Sequence, residues 1–511
     1  LKVTTPGLVY TCLGGFVVAF SMFSLLVKET FYLNEVVLGT AFGIAIGPHG
    51  ADIFAPRSWD FSTTFITREI TRIVLATGLF AIGVELPKSY MARHGKSLLV
   101  MVVPTMAIGW LIVAGVLFGL FPKLSFYSCL AISACLTPTD PIICAAIVGG
   151  KYAERHVPLN LRRILSAESA ANDGLAYPFL TISLYLILDK TKQEAILHWV
   201  LVGWLYQVVM GIVIGVILGL MFSHLMKFSH QRGFIDRESY IAQYLALAIF
   251  IAGVVSTIGS DDLLAAFAAG SAISWDGEFN DHTEGEAFAS ILDLVLNCAC
   301  FIYIGAWLPF ESFNSPELGI TPWRLVILFL IILALRRIPA IMVLYRWVPE
   351  IRTWREALFS GHFAFLSVVS SSLKMGVGAI FISSLALHKL PAAHNPPKNE
   401  QELLAASLEP MVAFIVLCSI VIHGLSIPFF SLGKATLYLT TTLPSKTPDW
   451  MIGIRHASTN ISVSPTSVDQ ATSVPDANSG ALEDQQPQHE TRDIATGVQN
   501  ITTTVEDLVN I

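Results

Sequence analysis

The run Leu165-Ser166-Ala167-Glu168-Ser169-Ala170-Ala171-Asn172-Asp173-Gly174 puts two carboxylates, an amide and hydroxyls at the start of an apolar stretch that continues to Leu188. A charge near the centre of a bilayer costs at least ~2.5–3.5 kcal/mol, so residues of this kind within a span are candidates for function. Residues three and four apart are neighbours on a helix. Glu168 and Asn172 therefore share a face, Ser169 nearly joins them, and Asp173 lies four residues beyond Ser169. One side of this helix carries an oxygen-rich patch suited to a cation.

A second constellation is Thr137-Pro138-Thr139-Asp140-Pro141. Two prolines three apart remove backbone donors and clash with the preceding carbonyls, so a helix breaks there. Within a membrane, unpaired backbone is tolerated only inside protein or beside water, and an interrupted span points to a transport site. Thr139 and Asp140 add oxygen atoms at the break. In the second half, Gly361-His362-Phe363 and Gly376-Val377-Gly378-Ala379 interrupt another long apolar run, a counterpart of the kind an inverted repeat produces.

Arg336 and Arg337 lie in the middle of an apolar run and need a counter-ion; Glu168 is proposed as the partner of Arg337. Ser260-Asp261-Asp262 opens another run, where an acid either caps a helix or faces a vestibule and gathers cations. Glu85, near a span end, is placed in that vestibule or in solvent. His362 and His423 read as hydrogen-bonded core histidines. The chain has no His-Glu-x-x-His zinc motif, no Gly-x-Ser-x-Gly elbow and no phosphate loop. No cofactor is implied, and no metal beyond a cation at the oxygen-rich patch.

The elements that must hold these residues follow from composition. Of 511 residues, 54% are hydrophobic and 14% charged, with a mean hydropathy of +0.64; soluble domains carry about 25% charged residues. The chain is an integral membrane protein whose partner is the lipid bilayer. Apolar windows of roughly twenty residues fall at Val9–Val27, Leu33–Ile46, Ile70–Leu86, Leu98–Phe121, Phe126–Val148, Ile164–Leu188, Ala195–Phe222, Tyr240–Ile258, Leu263–Trp275, Ala287–Phe310, Trp323–Tyr345, Ala357–Leu387 and Leu408–Phe430. That makes about 13 transmembrane helices. Loops on the side of Lys88, Lys151 and Arg232 hold more Lys and Arg than those on the side of Arg57, Lys190 and Lys389. The richer side is expected in the cytoplasm, together with the C-terminus.

From Pro444 the sequence turns to Ser, Thr, Gln and acids, a composition that cannot bury enough apolar surface to order itself. A transmembrane domain over 1–433 and a disordered cytoplasmic tail over 434–511 are expected. The net charge of −7 comes largely from that tail and implies no nucleic-acid partner. Asn460-Ile461-Ser462 and Asn500-Ile501-Thr502 match the glycosylation sequon, unused if the tail is cytoplasmic. All seven cysteines lie in apolar runs and read as core residues rather than a disulfide or metal framework. The first residue is Leu, so the true N-terminus is expected upstream.

Thr137-Pro-Thr-Asp-Pro141, Glu168-Ser-Ala-Ala-Asn-Asp-Gly174, Ser260-Asp-Asp262, Arg336-Arg-Ile-Pro339 and Ser419-Ile-Val-Ile-His-Gly-Leu-Ser-Ile-Pro428 resemble the fungal plasma-membrane sodium(potassium)/proton antiporters, of the cation/proton antiporter superfamily. The resemblance covers about Pro6 to Gly433. It implies an all-α polytopic protein of two inverted repeats with crossing broken helices, a dimerisation domain and thus a homodimer. It also implies export of Na⁺, K⁺ or Li⁺ in exchange for external H⁺, serving salt tolerance and cation homeostasis. By motif, Asp173 is the ion- and proton-binding carboxylate, with Asn172, Ser169 and Thr139 nearby and Asp140 at the crossing. Arg337 pairs with Glu168, and Asp261 and Asp262 are acids needed for transport. In the family Gly-His-Phe runs straight into Gly-Pro. Here the eleven residues from Ala364 to Lys374 intervene, as an unspliced intron would leave them, and the tail is short for the group. A passive cation channel and a non-transporting sensor with a vestigial site are the alternative readings.

Overall fold

The computed structural model describes residues 4–27, 33–59, 62–141, 144, 157–279, 288–362 and 376–442. Among them the chain is helical with no strand; one isolated antiparallel bridge joins Ser315 to Ile320. Each apolar window contains at least one described helix or part of one. In order these are α1 (Thr5–Leu25), α2 (Glu35–Ile46), α3 (Thr63–Glu85), α4 (Tyr90–Leu120), α5 (Phe126–Cys135), α6 (Leu159–Leu188), α7 (Lys192–Gln231, π-helical over Trp199–Val209), α8 (Arg237–Ile258), α9 (Asp262–Ile273), α10 (Phe288–Trp307), α11 (Pro322–Leu335), α12 (Ile338–Leu344), α13 (Trp354–His362), α14 (Val377–Lys389) and α15 (Glu400–Thr442). Five helical segments are long and apolar enough to cross a membrane: Pro6–Ser24, Tyr90–Leu120, Lys192–Gln231, Pro322–Trp347 and Glu400–Ile422. Shorter apolar helices accompany them.

Local chemistry sets the starts. Asn34, Ser125, Asp236 and Asp261 each accept a hydrogen bond from the backbone N–H three residues on, and Thr191 with Glu194 forms a capping box. It also sets the breaks. α5 stops at Cys135, where Thr137 Oγ1 turns back to the Ser133 carbonyl at 2.6 Å and Pro138 ends the ladder.

The run expected as one helix over Trp323–Tyr345 is instead two, divided at Arg336 and Arg337, with Pro339 in the first turn of the second. Residues 363–375, with the Ala364–Lys374 interruption, lie outside the described residues, as do the side chains of His362 and His423. The last helix continues through residue 433 to Thr442. Residues from Leu443 onward lie outside the described residues.

The buried apolar cluster runs through nearly every helix. α9 packs chiefly on α3 and α7, α2 on α10, and α5 on α4 and α6. Gly174, next to Asp173, permits one close crossing: a Cβ there would stand 2.6 Å from Leu264 Cβ on α9.

Candidate functional site

Two interrupted segments, one from each half of the chain, meet around α6. Just past the end of α5 the carbonyls of Leu136, Thr137 and Pro138 converge on Arg336, whose Nη1 donates to all three at 2.9, 2.9 and 3.1 Å. At the other segment, Asp140 Oδ2 accepts from the N–H groups of Val377 (2.5 Å) and Gly378 (3.4 Å), at the first turn of α14. A cation thus sits at a helix C-terminus and an anion at a helix N-terminus. Each opposes the partial charge of the half-helix it meets.

α6 threads past this crossing. Glu168 is held by Arg337 through two bonds, Nη1 to Oε1 at 2.7 Å and Nη2 to Oε2 at 2.9 Å. Arg337 Nε donates to the Ser360 carbonyl at 3.1 Å. One turn on, Asn172 Nδ2 donates to Glu168 Oε1 (2.9 Å) and to Thr139 Oγ1 (2.6 Å), while its Oδ1 accepts from Thr139 N (3.0 Å). Asn172 therefore ties α6 to the break after α5. Ser169 is buried, and its hydroxyl donates to the Ser166 carbonyl at 3.0 Å rather than to a neighbour of Asp173.

Asp173 differs from all of these. It is 0% exposed, yet among the described residues neither carboxylate oxygen has a hydrogen-bond partner. The backbone of Gly378 lies against it: a Cβ at 378 would stand 2.7 Å from both oxygens. A buried ionised carboxylate without a partner is costly unless something neutralises it, and a bound cation or a proton would do so. Gly378→Ala, which intrudes on those oxygens, is expected to remove Asp173-dependent cation binding while leaving membrane insertion intact. Cation-induced thermal stabilisation of the purified variant, measured beside wild type, checks this.

Asp173 lines a cavity of about 630 Å³ whose walls include Arg68, Arg72, Tyr177, Gln207, Asp261, Asp262, Phe381 and Lys389. Asp261 caps α9 through the Leu264 N–H at 2.9 Å, and Asp262 faces Arg72 Nε at 2.9 Å. Both acids thus belong to the vestibule, and one of them is also the cap. Glu85 does not line this cavity. It is exposed at the far end of α3, thirteen residues and about 20 Å along the helix from Arg72. Sequence reasoning passed over Arg72 and Lys389. The first was visible as an ionisable residue inside an apolar window. The second donates to Tyr177 Oη at 2.8 Å, one turn beyond Asp173.

Residues 16–433 match the family of transmembrane sodium/hydrogen exchangers. The chain is 42% identical over 454 residues to a probable Na⁺/H⁺ antiporter of Schizosaccharomyces pombe, covering 86% of this chain and 58% of that protein. It is 41% identical over 461 residues to a Na⁺/H⁺ antiporter of Saccharomyces cerevisiae (88% and 46%). A second Schizosaccharomyces pombe Na⁺/H⁺ antiporter is 34% identical over 423 residues (81% and 88%). The chain thus spans about half the length of the first relatives it matches. The fold is that of the sodium proton antiporter MjNhaP1 from Methanocaldococcus jannaschii, at a TM-score of 0.61 and 15% identity over 84% of this chain and 99% of that one. The chain belongs to the transmembrane sodium/hydrogen exchanger family.

Proposed function

We propose that the chain is a secondary transporter that exchanges an alkali cation for protons at Asp173. The observation that carries this is a fully buried carboxylate without a hydrogen-bond partner among the described residues, lining a cavity of about 630 Å³ and beside the crossing of two half-helices. The antiporter relatives support it. When Asp173 is ionised, a dehydrated Na⁺, K⁺ or Li⁺ neutralises it, since hard cations take oxygen ligands. When a proton binds, the same charge is cancelled and the cation leaves. Asn172 and Thr139 fix the backbone beside the acid, Arg336 and Asp140 hold the crossing, and Arg337 holds Glu168.

The cavity is lined by Arg68, Arg72 and Lys389, which belong to the side with fewer basic loop residues, the side that the charge bias would put outside. On this reading the structure is the outward-open form, releasing cytoplasmic cations in return for external protons at the plasma membrane. The tail is cytoplasmic, the assembly is a homodimer, and the physiological result is salt tolerance and cation homeostasis.

Reconstitution into liposomes loaded with a pH-sensitive dye tests this. Addition of Na⁺, K⁺ or Li⁺ should dissipate an imposed pH gradient saturably, at rates compared at two clamped voltages. Cation flux that persists without a proton gradient and does not saturate would instead identify a channel, and no flux a sensor.

A further inference from the structure

The cavity leading to Asp173 already contains a fixed cation. Arg72 projects from α3, with Nη1 3.0 and 2.9 Å from the two oxygens of Glu69 and Nε 2.9 Å from Asp262 Oδ2. Across the cavity its guanidinium carbon lies 5.8 Å from the ring centroid of Phe381 on α14. Neither Arg72 Nε nor Asp262 Oδ2 makes an aligned hydrogen bond, so charge rather than a directed bond holds these two together. Such a contact can be exchanged for another cation without leaving a directed bond broken. Arg68, the neighbouring basic residue of the wall, is 3.2 Å from Glu69 and does not substitute for Arg72 at Asp262.

We propose that Arg72 is a tethered competitor, a positioning residue that occupies Asp262 whenever this cavity is open. An ion in the cavity then meets Asp173 and Asp261 but not a free Asp262. The side chain is tethered in the wall beside Asp262 by Glu69, so the competition operates each time this cavity opens. Its effect is to keep cation affinity low on this face, where the exchange reading has the cation released. The inference rests on that reading.

The test uses the full chain in right-side-out and inside-out membrane vesicles, with the apparent KM for Na⁺ measured on each face. Arg72→Gln should lower KM on the cavity face about tenfold, equivalent to 1.4 kcal/mol, and leave the other face unchanged. Arg72→Lys should stay within about twofold of wild type, because the charge is kept. Arg72→Gln combined with Asp262→Asn should cancel the gain, as a coupled pair requires. An unchanged KM with a reduced maximal rate in Arg72→Gln would make the residue a structural clamp and overturn the proposal. Should Arg72→Gln fail to reach the membrane, Asp262→Asn alone decides. Taking the charge of Asp262 away from Arg72, with only Glu69 left against it, should raise KM on the cavity face about tenfold, and an unchanged KM there overturns the inference. Wild-type vesicles without cation-dependent proton movement would sink the exchange reading instead.

Discussion

Asp173→Asn should reduce cation-driven proton movement in proteoliposomes to the level of empty vesicles, while the protein still folds and inserts. The substitution is nearly isosteric and removes only charge. Because neither oxygen of Asp173 has a protein partner among the described residues, the change breaks no hydrogen bond there. It also removes a buried carboxylate whose desolvation no hydrogen bond among the described residues offsets, so the thermal midpoint in cation-free buffer should equal or exceed that of wild type. The two proteins should separate when cation is added. A ligand at one hundred times its Kd stabilises by roughly 2.7 kcal/mol, and wild type should show that rise where Asp173→Asn shows none. Retained exchange, or a retained cation-induced shift, would remove Asp173 from its assigned role. A variant that loses stability along with flux would recast it as a structural residue.

Loss of either member of the Glu168–Arg337 pair should be the most damaging change to stability. Both side chains are buried, at 3% and 10% exposure, and joined by two bonds. Removing one partner strands the other charge in a low-dielectric site, at about 3–5 kcal/mol. Arg337→Met and Glu168→Met should each lower the thermal midpoint sharply and reduce yield in the membrane. The double variant should recover much of this, since an apolar pair of similar volume avoids both desolvation costs. Recovery should be partial, because Asn172 Nδ2 then loses its bond to Glu168 and the Ser360 carbonyl loses its donor. Thermal midpoints of the four proteins in one detergent give the coupling directly. Single variants as stable as wild type would show that the pair does not clamp α6.

How far such a site can be read from a chain depends on the range of its contacts. The break after α5 was legible because two prolines forbid a helix whatever surrounds them. The polar face of α6 was legible because helical spacing alone brings Glu168 to Asn172. The pairing of Arg337 with Glu168 could be proposed because a charge amid apolar residues demands a partner. Nothing local announces that Arg336, its neighbour, caps the α5 carbonyls two hundred residues earlier, or that Asp140 serves the first turn of α14. Those bonds exist only once two distant segments cross. For Glu85 the two readings, vestibule or solvent, could not be separated, because a span-end acid has no local mark of which end faces a cavity. The Trp323–Tyr345 window looked continuous because its hydropathy is continuous, although the backbone parts at the arginines.

The solitary state of Asp173 bears on leakage. A carrier that shuttles one charge for another wastes its gradient if it can make the return trip with nothing aboard. On the proposed exchange reading, with sodium or a proton on the carboxylate, the moving part would cross electrically quiet. Unloaded, it must drag a bare anion through a dry passage, and a penalty of about 4 kcal/mol would make such empty journeys roughly a thousand times rarer. The same lack of company that leaves the acid ready for cargo would thus enforce strict stoichiometric coupling, with no separate gate to prevent slippage.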